Sequence, residues 1–357
     1  MWYQNDVSKS LGTKYPIIQA GMAGGVTTPL LVSSVSNSGG LGTLGAGYMS
    51  VSDLKEALKL VKKQTDLPFG VNLFIPEIQE CREEQVNSMR KLLDPFKKEM
   101  NLLTDHRFTI HHVEFEKQIE SIIQERVPVC SFTFGTPPKE IVKELKKEGI
   151  KVIGTATTVE EALMNQECGV DVIVAQGSEA GGHRGTFLGT YEESMIGTFS
   201  LIPQIVDAVK LPVIAAGGVM DGRGIVAALA LGAKGVQMGT AFLTMKESGA
   251  KAIHKRAILE AEETSTTLTS AFSGKPARGL SNTFTRMMKE YESQFLPYPL
   301  QNELTKEMRK EAGNQHNKEL MSLWSGQSPR LSKEVYVHEL IASIVKEVEE
   351  GLHKLYR

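Results

Sequence analysis

His183 is the side chain of this sequence that is best suited to proton transfer. It lies in the glycine-rich stretch 177–185, and histidine changes its charge near neutral pH. Because such a loop after a predicted strand is typical of a ligand site, we interpret His183 as catalytic rather than structural. Arg184 carries less information, since it could simply pair with Glu179. The pair His111-His112 has no further metal ligands around it in the sequence, so we predict a solvated pair and no metal site.

Two short glycine motifs indicate a phosphate site. Gly217-Gly218 and Gly239-Thr240 each come at the end of a predicted strand. Glycine lets backbone N–H groups approach a phosphate without a Cβ atom in the way, and Thr240 adds a hydroxyl donor. Glycines in tight turns would look the same, but two such motifs at consecutive strands favour phosphate.

Asn72 and Gln176 are amides on otherwise apolar predicted strands. An amide both donates and accepts hydrogen bonds, which suits the edge of a flavin ring. For each residue the alternative is a buried amide that is bonded to the neighbouring backbone.

These residues need a fold that brings distant parts of the chain together. Short apolar, β-branched segments alternate with helical patterns, which predicts parallel strands joined by helices. The predicted strands are 16–20, 41–46, 69–74, 127–134, 151–156, 170–176, 211–217 and 235–242, and the helices between them are 29–37, 51–64, 138–147, 159–166, 201–209 and 222–230. This pattern predicts the α/β class and a (β/α)8 TIM barrel, with the active site at the C-terminal ends of the strands. The alternative is an open doubly wound sheet, but no predicted strand leads into a convincing G-x-G-x-x-G helix start.

Two long segments lie outside this alternation. Residues 76–125 are rich in Glu, Lys, Gln, Met and Leu, which predicts a helical insertion after strand three. Residues 273–357 form a predicted C-terminal extension that covers the active site and the barrel, so the barrel comprises 1–75 and 126–272. Helices are predicted at 251–262 and 333–352. The segment 324–330 could fold back over a ligand or form a capping loop, and its sequence favours neither.

The composition is that of an ordinary globular protein. Apolar residues make up 41% of the 357 residues, enough for a large core. Lys and Arg number 40 against 42 Asp and Glu, so no basic field indicates nucleic acid or an anionic membrane. The N-terminus lacks an apolar signal core, no apolar run would span a bilayer, and the 3 cysteines form no disulfide or metal pattern. We therefore expect a cytoplasmic protein.

Several motifs together resemble those of the nitronate monooxygenase family, formerly called 2-nitropropane dioxygenases. They are PIIQAGM at 16–22, SNSGGLG at 36–42, GVN at 70–72, AQGSEAGGH at 175–183, AAGG at 215–218 and QMGT at 237–240. The segment WSGQSPR at 324–330 is similar to that of the extended bacterial branch. The resemblance spans nearly the whole chain.

The resemblance implies FMN as the cofactor. The residues that match the binding positions of the family are Asn72, Gln176, Gly181, Gly218, Gln237, Met238, Gly239 and Thr240. It also implies that His183 faces the flavin and the substrate, either as a base or as an electrostatic anchor for the nitro group. The implied reaction is oxidation of an alkyl nitronate, such as propionate 3-nitronate, by molecular oxygen. Its products would be a carbonyl compound and nitrite, formed without NAD(P)H in a detoxifying role, and a homodimer is possible.

Two other functions stay open. A flavin-dependent enoyl-acyl-carrier-protein reductase shares the barrel, the FMN site and the glycine-histidine loop. It would need room for a nicotinamide cofactor and a basic patch for its acidic carrier, and the long C-terminal region and near-neutral charge weigh against it. The second is a flavin-binding protein without turnover, against which the presence of His183 argues.

Overall fold

Eight parallel strands form a ring in the computed structural model, which describes residues 1–77, 79, 81–102 and 114–355. The strands are β1 (Ile17–Gln19), β2 (Gly42–Gly45), β3 (Phe69–Phe74), β4 (Val129–Thr133), β5 (Lys151–Ala156), β6 (Val172–Gln176), β8 (Val213–Ala216) and β9 (Gly235–Met238). Their order is β1-β9-β8-β6-β5-β4-β3-β2. Hydrogen bonds from Leu41 N to Ile17 O (2.9 Å) and from Gln19 N to Leu41 O (3.0 Å) join the two ends. The predicted (β/α)8 barrel is therefore confirmed.

The strands carry apolar side chains on both faces, as parallel barrel strands must. Ile18 and Ile153 point into the cluster that fills the ring, whereas their neighbours Ile17 and Val152 pack against the surrounding helices. Two side chains of α1 (Asp6–Leu11) join the inner cluster, so this helix closes the N-terminal end of the barrel. The C-terminal end of the barrel is not closed by this helix.

Helices fill the connections between the strands, and several begin at capping residues. Thr28, Ser50 and Thr158 each accept a hydrogen bond from the N–H group of the third helical residue. The barrel helices are α2 (Pro29–Asn37), α3 (Val51–Lys62), α5 (Phe115–Gln124), α6 (Lys139–Lys147), α7 (Val159–Cys168), α8 (Thr198–Ala208) and α9 (Gly222–Ala230). The others are α4 (Glu83–Glu99), α10 (Thr240–Leu243), α11 (Ala252–Leu259), α12 (Thr283–Met288), α13 (Leu300–Asn314) and α14 (Val337–Leu355). None of the described helices combines the length and apolar character needed to cross a membrane.

The prediction of one strand over residues 235–242 is wrong in its second half. Strand β9 ends at Met238, and Thr240–Leu243 form the short helix α10. These residues are buried in either case, so an apolar run does not distinguish the end of a strand from a following helix. The backbone turns at Gly239, which has φ −105° and ψ −71°. This turn sets the position of Thr240.

Other predicted boundaries differ by a few residues. The helix predicted at 201–209 begins at Thr198, because Gly197 before it offers no side-chain cap that would mark the start. The helices predicted at 251–262 and 333–352 are Ala252–Leu259 and Val337–Leu355. The strands predicted at 69–74 and 151–156 have the same bounds in the structure.

A second apolar core joins α4 to α11, α12 and α13 outside the barrel. Helix α5 instead contributes Ile119 and Ile122 to the core around the barrel, and α14 packs along α9 and α2. The two described helices of the segment 76–125 therefore belong to different cores. The division into 1–75 with 126–272, 76–125 and 273–357 stays a prediction.

Candidate active site

A cavity opens at the C-terminal ends of the barrel strands. Its lining includes the predicted catalytic residue and 7 of the 8 predicted binding positions, namely Asn72, Gln176, Gly181, His183, Gly218, Gln237, Gly239 and Thr240. Met238 is the exception, because its side chain is 1% exposed and packs between the strands and the helices. Residues that are far apart in the sequence thus share one cavity, and their roles stay predictions.

Gly218 and Gly239 expose backbone N–H groups at the ends of the neighbouring strands β8 and β9. Neither N–H donates to any group in the part of the chain that the structure describes. Gly218 has φ +71°, a left-handed conformation that favours glycine. A Cβ atom on Gly239 would meet no protein atom nearer than 3.8 Å, so that side of the backbone faces the cavity. The two amides form a cradle that suits a phosphate.

The segment 324–328, which we call the C-terminal strap, folds back onto this cradle. Gly326 N donates to Thr240 Oγ1 (2.9 Å), and Ser328 Oγ donates to Gly218 O (3.2 Å). Gln327 N donates to Glu179 O at 3.0 Å, which ties the strap to the loop after β6. The segment therefore lies at the cavity, where Trp324, Gly326 and Ser328 form part of its lining, and that it covers a ligand there stays a prediction.

The strap and the loop after β6 meet backbone to backbone. A Cβ atom on Gly326 would lie 2.9 Å from Glu179 O, and one on Gly181 would lie 2.5 Å from Gly326 N. Real Cβ atoms do not approach backbone atoms this closely, so glycine is needed at both positions. The close contact between the two segments therefore depends on these two glycines.

Asn72 and Gln176 present opposite hydrogen-bonding groups to the cavity. Asn72 Nδ2 donates to Ser131 and Thr133 inside the barrel, at 3.0 and 3.1 Å from their hydroxyl oxygens, and its Oδ1 is left as an acceptor. Gln176 Oε1 accepts from the backbone N–H of Gly185 (2.8 Å) and its Nε2 donates to His183 O (3.2 Å), which leaves one N–H of Nε2 as a donor. An acceptor and a donor suit the edge of a ring that carries both kinds of group.

His183 lies in β7 (Gly182–His183), which pairs with β11 (Ala277–Leu280) beside the barrel. Its Nε2 is 2.8 Å from Ser273 Oγ, and its ring lies against Phe134 and Trp324, with centroids 5.8 and 5.4 Å away. Burial, followed by the positive charges of Arg309 and Lys275, lowers the pKa of His183 to about 3. The imidazole is therefore neutral at neutral pH. In this state it can accept a hydrogen bond, and its role as a base or as an electrostatic anchor stays a prediction.

Arg309 supplies positive charge near His183 without a carboxylate of its own. Its guanidinium donates to Asn302 O (2.9 Å) and Asn302 Oδ1 (2.8 Å), and within the described ranges no carboxylate oxygen lies within 4.0 Å. Tyr48 Oη is buried beside the Tyr298 hydroxyl but makes no hydrogen bond of normal geometry. A partly buried cation without a carboxylate partner and a buried hydroxyl without a hydrogen bond of normal geometry favour an anion nearby.

Arg184 does not form the predicted alternative contact, an ion pair with Glu179. Its guanidinium donates to backbone carbonyl groups and to Gln176, while Glu179 accepts from Thr198 N at 2.8 Å. The pair His111-His112 lies outside the described residues.

Several residues of the site carry no local signal in the sequence. Tyr48 lines the cavity, Ser273 contacts His183, and Arg309 lies close enough to lower the pKa of His183. All three come there only through tertiary packing. His254, on α11, also lines the cavity, and its Nε2 donates to Trp324 O at 3.1 Å. Burial lowers the pKa of His254 to about 4, although its bond to Trp324 acts in the opposite direction. It therefore holds the strap as a neutral side chain.

Comparison with known proteins gives one family along most of the chain. Residues 5–347 match the family model described as nitronate monooxygenase. A probable nitronate monooxygenase from Staphylococcus haemolyticus is 53% identical over 351 residues, which cover 98% of each chain.

Two solved structures are similar over nearly the whole length. Nitroalkane oxidase from Streptomyces ansochromogenes superposes with a TM-score of 0.91 at 36% identity, covering 98% of this chain and 100% of that chain. FabK from Thermotoga maritima superposes with a TM-score of 0.79 at 34% identity, covering 99% of this chain and 98% of that chain.

Proposed function

The chain belongs to the nitronate monooxygenase family, and we propose that it uses bound FMN and molecular oxygen to oxidise alkyl nitronates to a carbonyl compound and nitrite. Membership of this family makes it an oxidoreductase. The observation that carries the finer proposal is the cavity that combines an anion cradle, two amides of opposite polarity and a neutral histidine.

The donor set of the cavity fits FMN. The N–H groups of Gly218 and Gly239, with the Thr240 hydroxyl, would hold the phosphate. Asn72 Oδ1 and Gln176 Nε2 would bind the ring edge, where flavin carries both donors and acceptors. When it is bound, flavin supplies the redox chemistry, and the protein supplies binding and orientation.

His183 would accept the proton of a neutral nitroalkane. The ring is neutral, and Nε2 lies 2.8 Å from Ser273 Oγ, which itself donates to Lys275 O (3.0 Å). A hydroxyl that donates to Lys275 O has no second hydrogen, so Nε2 carries the imidazole hydrogen and donates to Ser273. Nδ1 is then the free basic atom. Nitronates that are already deprotonated would not need it.

The charge around the cavity favours a substrate that carries a second negative group. Within the described ranges, no carboxylate oxygen lies within 4.0 Å of the Arg309 guanidinium, and Tyr48 Oη, which lines the cavity, makes no hydrogen bond of normal geometry. A carboxylate on the substrate would satisfy both groups. This supports propionate 3-nitronate over simple alkyl nitronates, and with it a detoxifying role.

The purified protein reconstituted with FMN tests this function. We expect rapid nitrite release and oxygen consumption on aerobic addition of propionate 3-nitronate, with no need for NADPH. Fast bleaching of the flavin by NADPH, with no nitrite from the nitronate, would contradict the proposal.

That opposite result would favour the enoyl-acyl-carrier-protein reductase, the main alternative. FabK superposes less closely than nitroalkane oxidase does, with a TM-score of 0.79 against 0.91. Flavin that reacts with neither substrate would favour a binding protein without turnover. A cytoplasmic location and a homodimer stay predictions.

A further inference from the structure

Arg184 is a buried cation that no step of the proposed reaction uses. Its side chain is 1% exposed and is not among the residues that line the cavity. Within the described ranges, no carboxylate oxygen lies within 4.0 Å of its guanidinium nitrogens. Burying a charge without a counterion is costly, so such a residue needs a reason.

The contacts of the guanidinium converge on Gln176. Arg184 Nη1 donates to Gln176 Oε1 (3.1 Å), Gln176 O (3.0 Å) and Gly177 O (2.7 Å). Nη2 donates to Ser194 O at 2.8 Å, and this bond fixes the orientation of the guanidinium plane. The side chain thus reaches from the loop after β6 to the amide at the end of that strand.

The Gln176 carboxamide has only one orientation that agrees with these contacts. Two donors, Arg184 Nη1 and Gly185 N, point at the same atom, which must therefore be the carbonyl oxygen. The other end of the amide lies 3.2 Å from His183 O, an acceptor that requires a nitrogen there. One hydrogen of Nε2 is used by His183 O, and the second is left for the cavity.

We propose that Arg184 is a positioning residue that locks the Gln176 carboxamide so that it presents an N–H donor, and not a carbonyl, to the cofactor. This inference rests on the proposed binding of FMN in the cavity. In this orientation, the Nε2 donor and the buried guanidinium behind it both stabilise negative charge that develops on the edge of the flavin ring. Arg184 therefore raises both the affinity for FMN and its reduction potential.

Arg184→Lys tests the lock, because a lysine keeps the charge but lacks the fork that contacts Gln176 and Ser194 together. We expect the FMN dissociation constant to rise about tenfold, as for the loss of one charge-assisted hydrogen bond. In a Gln176→Ala background the same change should have less than about a twofold further effect, because residues that act through each other are not additive. Full additivity would contradict the lock.

Gln176→Glu is the second variant, and it needs no new space in the core. It gives Arg184 an ion-pair partner but replaces the Nε2 donor by a carboxylate oxygen. We expect weaker FMN binding than in Gln176→Ala and a lower midpoint potential of the bound flavin. Binding as tight as in the wild type would contradict the inference even if the Arg184 variant does not fold.

Arg278→Lys is the matched control. Arg278 is also buried and also holds the loop after β6, since its Nε donates to Ser178 O at 3.0 Å, but it does not contact Gln176. Its variant should keep the FMN affinity and potential of the wild type. Equal losses in both arginine variants would mean that loosening the loop, and not Gln176, is responsible. A wild type that binds no FMN would overturn the proposed function, whereas unchanged variants of an FMN-binding wild type would overturn this inference alone.

Discussion

The neutral state of His183 bears on the two roles proposed for this histidine, a base and an electrostatic anchor. An imidazolium would attract the nitro group, but burial and the charges of Arg309 and Lys275 keep the proton off the ring until about pH 3. A neutral ring supports the proposal that His183 acts by proton transfer or hydrogen bonding and not as a cation.

His183→Asn should separate substrates by whether they must lose a proton. With FMN still bound, we expect kcat/KM for neutral nitroethane to fall by about 100-fold, the usual range for a lost general base. For preformed ethyl nitronate the loss should stay under about tenfold. Initial rates of nitrite release measure both, and His338→Asn, a change at an exposed histidine, is the control. Equal losses for the two substrates would show that His183 is not mainly a base.

Arg309→Met should change the preference among nitronates. If Arg309 binds a substrate carboxylate, KM for propionate 3-nitronate should rise about tenfold or more, while KM for propyl-1-nitronate, which has no carboxylate, stays the same. Lys306→Met is the control, because Lys306 lies on the same helix but pairs with Glu303 at 3.4 Å. A parallel rise of KM for both nitronates would contradict a carboxylate site.

Sequence reasoning finds those site residues whose type is unusual for their local surroundings. Asn72 and Gln176 interrupt apolar strands, and His183 interrupts a glycine-rich loop, so each can be recognised from its neighbours. Tyr48 and Arg309 are ordinary residues in their own segments. They become informative only when the fold places Arg309 near His183 with no carboxylate oxygen within 4.0 Å in the described ranges, and buries Tyr48 Oη without a hydrogen bond of normal geometry.

At the scale of elements, the strap determines whether the cradle is held in place. It binds the loops after β6, β8 and β9 through hydrogen bonds from Gln327, Ser328 and Gly326. His254 fixes its near end through Trp324 O. None of these contacts comes from the barrel strands themselves.

Gly326→Ala should therefore release the cofactor while leaving the barrel folded. The added methyl group would meet Glu179 O at 2.9 Å and Gly181 N at 3.3 Å, so the strap must move away from the loop. We expect the FMN dissociation constant to rise at least about tenfold, with the far-UV circular dichroism spectrum unchanged. Gly313→Ala is the control, since its methyl group would meet only the mobile end of Lys251. FMN affinity equal to that of the wild type would contradict this role of the strap.

The elements were predictable where periodicity and turn residues agree. The strands 69–74 and 151–156 are apolar runs with clear ends, and their bounds are correct. The run 235–242 contains a mostly buried strand, a turn at Gly239 and a buried helix, so hydrophobicity alone could not separate the strand from the helix. The position of the strap depends on long-range contacts to Glu179 and Thr240, which no local pattern encodes.

At the scale of the whole molecule, two histidines are folded in the neutral form. The pKa values of His183 and His254 are lowered to about 3 and about 4, from an ordinary value of 6.5 in an unfolded chain. At a pH between the lowered pKa of each histidine in the folded protein and 6.5, the unfolded state binds more protons than the folded state. Stability therefore falls as the pH decreases below 6.5, and the loss continues to about pH 4 for His254 and about pH 3 for His183.

His254→Gln should reduce this dependence on pH. Glutamine can still donate to Trp324 O but cannot be protonated, so below pH 6.5 the free energy of unfolding should fall less steeply than in the wild type. The difference in slope should reach roughly 1.4 kcal/mol per pH unit. Urea unfolding of the FMN-saturated protein between pH 7 and pH 4.5 measures it, with His338→Gln as the control. Parallel curves for wild type and variant would show that His254 is not a neutral buried group.

The position of the strap near the C-terminal end of the sequence also determines when, during synthesis, the protein can bind its proposed cofactor. Every barrel strand has left the ribosome once Met238 has emerged, but the groups that hold Thr240 and Gly218 emerge only with Gly326 and Ser328. If the strap holds FMN as proposed, a nascent barrel lacks the parts that would retain it, and we expect loading to follow translation. A premature stop between the last strand and the strap should then leave all eight barrel strands but weaken the binding of FMN.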